Sequence, residues 1–188
     1  MRKRIKDIAE VQIGVYAQAS NAANAIYIQV GNYSSNRKLS EDIKPLVEIE
    51  GRRQNLFLNS GDLLFAAKGS NNFCAVFKKL DCPAVASSSF VTLRIKDRGN
   101  VLPEYVCWYI NLDATLKYLQ SEAKGTGIPS ISKVTLEELE IPIPPIEKQQ
   151  AIAEIAELQA KAQRLQSRIM AKRRQLIEYK LKKAIENE

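Results

Sequence analysis

Hydrophobic positions in this 188-residue chain follow different rules on either side of Ile141-Pro-Ile-Pro-Pro145. Before that segment, short apolar runs are broken at intervals by glycine, serine, asparagine or proline. After it, from Ile146 to Glu188, there is neither glycine nor proline. Four runs of the first part are rich in β-branched and aromatic residues and predict strands: Ala25–Val30, Asp62–Ala66, Cys74–Phe77 and Phe90–Ile95. Gly31-Asn32, Ser60-Gly61, Gly69–Asn72 and Arg98–Asn100 supply the turns that bound them. Pro103 opens a helical stretch with Val106, Tyr109, Ile110 and Leu112 on one side, and Leu116 and Leu119 follow at the same spacing. Tyr105, Trp108 and Tyr109 on this stretch are expected in the core. Thr135-Leu-Glu-Glu138 fits a capping box, with Thr135 as the cap and Glu138 reaching back. The expectation is an α+β chain, a mixed-sheet globular domain over residues 1–145 and then one long coiled-coil α-helix over 146–188. Pro145 suits that helix's first turn, where a missing N–H costs nothing.

The helix carries a seam. Stepping by three and four from Ala151 gives Ile155, Leu158, Ala162, Leu165, Ile169, Lys172, Leu176 and Tyr179, with only Lys172 polar. Such a repeat over four heptads predicts a coiled coil. Some forty helical residues make a rod about 60 Å long. A domain of this size has a radius of gyration of about 14–15 Å and is too small to cover the whole stripe. The seam therefore calls for a partner helix, from a second copy or from another protein; folding back on its own domain is the alternative.

Composition narrows the chemistry. The chain has 28 Lys and Arg against 21 Asp and Glu, a net charge of +7, so a polyanion is the first partner to consider. The helix holds ten of the basic residues and six of the acidic ones, and they read equally well as the solvated face of the rod. There is no histidine, which removes the usual general base and every Ser-His or Cys-His pair. Cys74, Cys82 and Cys107 have neither zinc-site spacing nor an even number, so no metal and no disulfide framework is expected, and a reducing cytoplasm suits them. No leader and no membrane span is expected, because the basic start has no apolar stretch behind it and no apolar run is long enough. The only Pro-Pro is Pro144-Pro145, preceded by isoleucine, so the Asn/Asp-Pro-Pro-aromatic signature of methyltransferases is absent. There is no P-loop, and Pro45 with Glu48-Ile-Glu50 lacks the lysine of a nuclease core. The chain is expected to be no enzyme and to need no cofactor.

Three segments resemble one family in that family's order. Gly125-Thr-Gly-Ile-Pro-Ser-Ile-Ser-Lys133, running on through Leu136-Glu-Glu-Leu-Glu-Ile-Pro-Ile-Pro-Pro-Ile-Glu-Lys-Gln-Gln-Ala-Ile152, resembles the junction between target recognition domain and conserved helix in DNA specificity subunits of type I restriction–modification systems. Ile5-Lys-Asp-Ile-Ala-Glu-Val-Gln-Ile-Gly14 resembles the family's domain opening, and Gly61-Asp-Leu-Leu-Phe-Ala-Ala-Lys-Gly69 its Gly-Asp-Ile-Leu segment. Members usually carry two recognition domains and two helices; this chain supplies one of each and looks like a half-size form. The resemblance implies a target recognition domain that binds double-stranded DNA over residues 1–145. It also implies a helix over 146–188 for antiparallel dimerisation and methyltransferase docking, with a restriction subunit joined through the methyltransferase. A truncated coiled-coil protein that holds partner subunits without reading DNA is the alternative, and a stand-alone dimeric regulator is a further one.

Reading DNA takes cations for phosphates and donors or acceptors for base edges. Lys68, Gly69, Ser70, Asn71 and Asn72 form one candidate loop, and Lys124, Thr126, Ser130, Ser132 and Lys133 another. Arg37-Lys38 and Arg52-Arg53 are candidate base or phosphate contacts, with solvated surface as their plain reading. Ile155, Leu158, Ala162, Leu165, Ile169, Leu176 and Tyr179 are assigned to dimerisation. Gln149 and Gln150, at the head of the helix, are the candidate docking residues, with an exposed first turn as the plain reading.

Overall fold

The computed structural model of the chain describes residues 1–34, 36–40, 42–49, 56–125 and 127–186. It divides into two compact units, Met1–Gln150 and Ala151–Glu188.

The first unit is built on a four-stranded antiparallel sheet in the order β2-β7-β4-β5: Ala9–Ile13, Phe90–Ile95, Leu63–Ala66 and Cys74–Val76. β3 (Ile26–Ile28) pairs in parallel with β6 (Ala84–Ala86), and β1 (Arg2–Arg4) pairs antiparallel with β8 (Glu140–Pro142). The sheets are therefore mixed, in an α+β unit followed by the long helix. All four expected strands form. Ile26, Ile28, Ala84 and Ala86 point into one core with Leu64, Phe73 and Phe90, while Tyr27 and Val85 point into a second with Val47 and Ile49. Both faces of this strand pair are buried, which is why Ala25–Ile28 reads as a continuous apolar run. β6 escapes a sequence reading because Ala-Val-Ala is a weak strand former; pairing with β3 holds it extended. A Cβ on Gly14 would lie 2.1 Å from the Ser87 carbonyl oxygen, so β2 can lie so close to the turn after β6 only with glycine there.

The expected helical stretch is two helices, α2 (Pro103–Ile110) and α3 (Asp113–Ser121), separated at Asn111-Leu112. Asn111 has a task that explains the break. Its Oδ1 accepts from the Cys74 N–H at 3.0 Å and its Nδ2 donates to the Cys74 carbonyl at 2.8 Å, so a side-chain amide closes the free edge of β5. Tyr105 is core, but Trp108 and Tyr109 are only half-buried, a correction to the expected aromatic cluster. α4 is Lys133–Glu137, and its cap is Ser132 rather than Thr135: Ser132 Oγ accepts from the Thr135 N–H at 3.0 Å. Glu138 instead pairs with Arg4 and Lys6 of the first strand and helix, and hydrogen bonding to Lys6 holds its carboxyl below the usual range. α1 is the single turn Ile5–Ile8.

Two buried polar groups organise the unit. Asp62 is fully buried and takes Arg94 through both oxygens, at 3.0 and 2.7 Å, and the Asn59 N–H at 2.8 Å. Arg94 also donates to the Phe57 carbonyl, which fixes the approach to β4. That hydrogen bond to Asp62 holds the guanidinium pKa above its ordinary value. Gln149 is equally buried: its Oε1 accepts from the Leu102 N–H, and its Nε2 donates to the carbonyls of Asn100 and Pro144, all within 2.8–2.9 Å.

α5 runs Ile146–Glu186. Pro145 lies just before it, its carbonyl accepting the first turn's N–H groups from Lys148 and Gln149. Within the second unit Ile155, Leu158, Leu165, Ile169, Leu176 and Tyr179 each expose 52–65% of their surface. No helix among the described residues is long and apolar enough to cross a membrane.

Candidate nucleic-acid interface

The chain brings the two candidate loops together. β4 ends at Ala66 and leads into Lys68–Asn72; α3 ends at Ser121 and leads into the loop from Lys124 to Ser130. Ser130 forms antiparallel bridges with both Lys68 and Lys124. Its N–H donates to the Lys124 carbonyl at 2.9 Å, and the Lys124 N–H donates back at 3.1 Å. Gly69 N–H donates to Pro129 and Ile131 N–H to Ala67, each at 2.9 Å. Ile131 is buried and anchors the second loop on the first. Gly69 turns the chain at φ +85°, a conformation that suits glycine.

A third segment joins them. Ala67 N–H donates to the Ser89 carbonyl at 2.9 Å, and Lys68 Nζ reaches Ser88 Oγ at 3.5 Å. Sequence reasoning missed this turn, although three serines between two apolar runs, Ser87–Ser89, were its signal. Lys68, Ser70, Asn71 and Lys124 are exposed, and Ser88 and Ser130 are half-buried. Among the described residues neither Lys68 nor Lys124 has a carboxylate within ion-pair distance. The result is a patch with two ammonium groups that no described carboxylate neutralises, among hydroxyl and amide side chains. It is suited to an anion with hydrogen-bonding edges.

Other expected contacts are used elsewhere. Asn72 is buried; its Nδ2 donates to the carbonyls of Ala66 and Gly69 and its Oδ1 accepts from Gln120, so its side chain ties the loop to α3 and is not available to a base. Ser132 is likewise spent as the cap of α4 and in a 2.8 Å contact with Thr135 Oγ1. Lys133 opens α4 with its ammonium 3.4 Å from Glu137. Gln149, expected to dock a partner, is consumed by three bonds inside the chain, which leaves exposed Gln150 of that pair. Arg37 and Lys38 sit on a separate hairpin closed by the Tyr33–Leu39 bridge, with Arg37 at φ 58°. Tyr33 at its base packs on Phe73 and Phe90. Its buried hydroxyl has no partner among the described residues, and burial first, then the nearby thiols of Cys74 and Cys107, push its pKa well up. Arg52, Arg53 and Thr126 lie outside the described residues. No group of three or more metal-ligating carboxylates or thiols converges among the described residues.

Comparison with known proteins places the fold. The model of the type I restriction modification DNA specificity domain matches residues 1–179. The specificity subunit of the type I restriction enzyme MjaVIII of Methanocaldococcus jannaschii is 32% identical over 102 residues, which is 54% of this chain and 23% of that protein. The HsdS subunit from Thermoanaerobacter tengcongensis superposes with a TM-score of 0.66 at 19% identity, over 92% of this chain and 44% of its own. The S subunit of a type I restriction-modification system from M. genitalium gives 0.56 at 18% identity, over 84% and 38%. The chain thus spans less than half the length of each of these relatives. The first is named as a specificity subunit, the second as an HsdS subunit and the third as an S subunit. With almost its whole length matched, the chain belongs to the type I restriction modification DNA specificity domain family.

Proposed function

We propose that this chain is a DNA-recognition module of a restriction–modification complex, in which residues 1–145 read one half of an interrupted target. Residues 146–188 join a second copy and a methyltransferase subunit, and through the latter a restriction subunit. The observation that carries the DNA reading is the double bridge at Ser130, which gathers Lys68 and Lys124 with Ser70, Asn71 and Ser88 on one surface. Phosphates would meet the two ammonium groups, and base edges the polar side chains between them. The exposed seam of Ile155, Leu158, Leu165, Ile169, Leu176 and Tyr179 supports a helical partner. A two-fold dimer presents its surface twice in inverted orientation, so the target is an interrupted palindrome. A helix about 60 Å long, against a DNA turn of about 34–36 Å, favours a spacer of fixed length.

Selection from a random duplex pool, with the methyltransferase partner present, tests this. Two identical inverted half-sites with one spacer length are expected. No sequence preference, with the partner still retained, would replace this reading with that of a coiled-coil interaction protein. An asymmetric site would mean a different second half.

A further inference from the structure

We infer that the middle of the long helix is a phosphate-binding stripe for duplex DNA, carried by Lys161, Arg164, Arg168, Lys172 and Arg173. This deepens the DNA reading above and rests on it for the choice of polyanion. The charge of residues 146–188 is not spread evenly along them. Leu158–Ile177 holds six of their ten cations and none of their six carboxylates, while the two ends together hold four cations and all six carboxylates. Lys161, Arg164, Arg168 and Lys172 follow one another at spacings of three, four and four, so they lie along one side of the helix. That side borders the apolar seam and meets it at Lys172.

A solvated helix face offsets its cations with carboxylates three or four residues away. Here only Lys161 has one at that spacing, Glu157; Arg164, Arg168, Lys172 and Arg173 have none. All five cations are exposed, and none lies within ion-pair distance of a carboxylate among the described residues. Arg174, at the end of the run, does pair, with Glu178 at 3.1 Å. Like charges at these spacings destabilise a helix, so the run costs stability wherever no anion meets it. From Lys161 to Lys172 the stripe spans about 16 Å. Over that length duplex DNA presents one phosphate charge for about every 1.7 Å of its axis, enough for every cation. Beside the cations, away from the seam, stand Ala160, Ala171 and Gln175, with no aromatic or large apolar anchor of the kind that carries protein–protein binding. This favours a phosphate backbone over an acidic protein surface. Phosphate contacts carry no sequence, so the stripe adds affinity without narrowing the target, as suits the bases between two half-sites.

The slope of log affinity against log salt, measured on the full chain, reads the stripe. Lys161→Gln, Arg164→Gln and Arg168→Gln together should lower that slope by about three, on the selected target and on a random duplex alike. Both duplexes should weaken by the same factor. Glutamine suits a helix, and the three positions leave the apolar seam residues in place. Lys182→Gln removes a cation that has Glu178 and Glu186 four residues to either side, and should lower the slope by well under one. An unchanged slope in the triple variant overturns the stripe; if the unaltered chain still ranks duplexes by sequence, the DNA reading itself stands. An unchanged slope with weaker retention of the methyltransferase subunit overturns the stripe in favour of an acidic protein surface. If Lys182→Gln lowers the slope as much as each cation of the triple variant does, overall charge is at work and the stripe is again overturned. A chain that binds every duplex alike, with the slope still falling by about three in the triple variant, refutes the sequence reading and supports the stripe.

Discussion

The two units of this chain handle their awkward groups in opposite ways. In Met1–Gln150 three buried polar side chains are consumed internally, Asp62 by Arg94 and Asn59, Asn72 by its own loop and Gln120, Gln149 by three backbone groups, and the Tyr33 hydroxyl is the exception among the described residues. In Ala151–Glu188 it is apolar groups that are left over, with Ile155 and Leu158 each 65% exposed. Buried polar side chains that find their partners inside the unit specify one structure without outside help. An exposed apolar stripe specifies a structure only together with a partner. The first unit is therefore the place to look for self-determined geometry, such as a reading surface, and the second for assembly.

The seam offers the largest expected effect. Leu165→Asp with Ile169→Asp places carboxylates against each other at the centre of the dimer, where burial of an unpaired charge is prohibitive. Dimer affinity should fall by more than about a hundredfold, read by sedimentation, while urea unfolding of the globular unit keeps its midpoint. If that midpoint drops as well, the two units are not independent and the contrast fails.

Breaking the first unit from inside should do the reverse. Asp62→Ala leaves the half-buried Arg94 and the Asn59 N–H without their partner, a loss of about 3 kcal/mol, the low end for a buried pair because Arg94 keeps some contact with water. Unfolding midpoints should fall accordingly, with dimer affinity unchanged at temperatures where the unit stays folded. Gln149→Ala is a gentler version. Alanine suits a helix, but the Leu102 N–H and the Asn100 and Pro144 carbonyls lose their bonds, a loss of about 2–3 kcal/mol. Gln150→Ala, on an exposed neighbour, should stay within about 0.5 kcal/mol. Equal losses at the two glutamines would deny Gln149 its structural role.

What the sequence reveals follows the same division. The helix and its seam are legible because a heptad repeat is local and periodic, needing no knowledge of distant contacts. The strand at Leu63–Ala66 is legible because burial on both faces leaves a continuous apolar run, and that at Phe90–Ile95 because aromatic and β-branched residues dominate it despite Arg94. β6 is not, since its conformation comes from a partner strand far along the chain. The candidate surface is half legible. Glycines and lysines mark the loops at Lys68 and Lys124, but residue type does not distinguish an asparagine that will face solvent, Asn71, from one that folds inward, Asn72. Nor does it separate a serine that caps a helix from one that stays available. Gln149 shows the limit well: a polar side chain in a first helical turn reads as exposed, and only the loops at Asn100 and Pro144 bury it.

The smallest effect sharpens the picture of the reading surface itself. Lys68 and Lys124 are exposed and unpaired with any described carboxylate, whereas the Lys133 ammonium already lies 3.4 Å from Glu137. A lysine that meets a phosphate releases about one counterion, so removing it lowers the slope of log affinity against log salt by about one. Lys68→Ala and Lys124→Ala should each do so, and the double variant should lower it by about two. Lys133→Ala should change it by well under one, because its charge is partly neutralised before DNA arrives. The loss should be the same for every duplex, since phosphates carry no sequence. Ser70→Ala and Asn71→Ala, with no charge to lose, should keep the slope and instead change the ranking among duplexes. An unaltered slope in the Lys68 and Lys124 double variant would place the phosphate contacts elsewhere, with Arg37 and Lys38 the next cations to test. A reduced slope with no change in ranking at Ser70 or Asn71 would leave this surface holding the DNA backbone while another segment reads the bases.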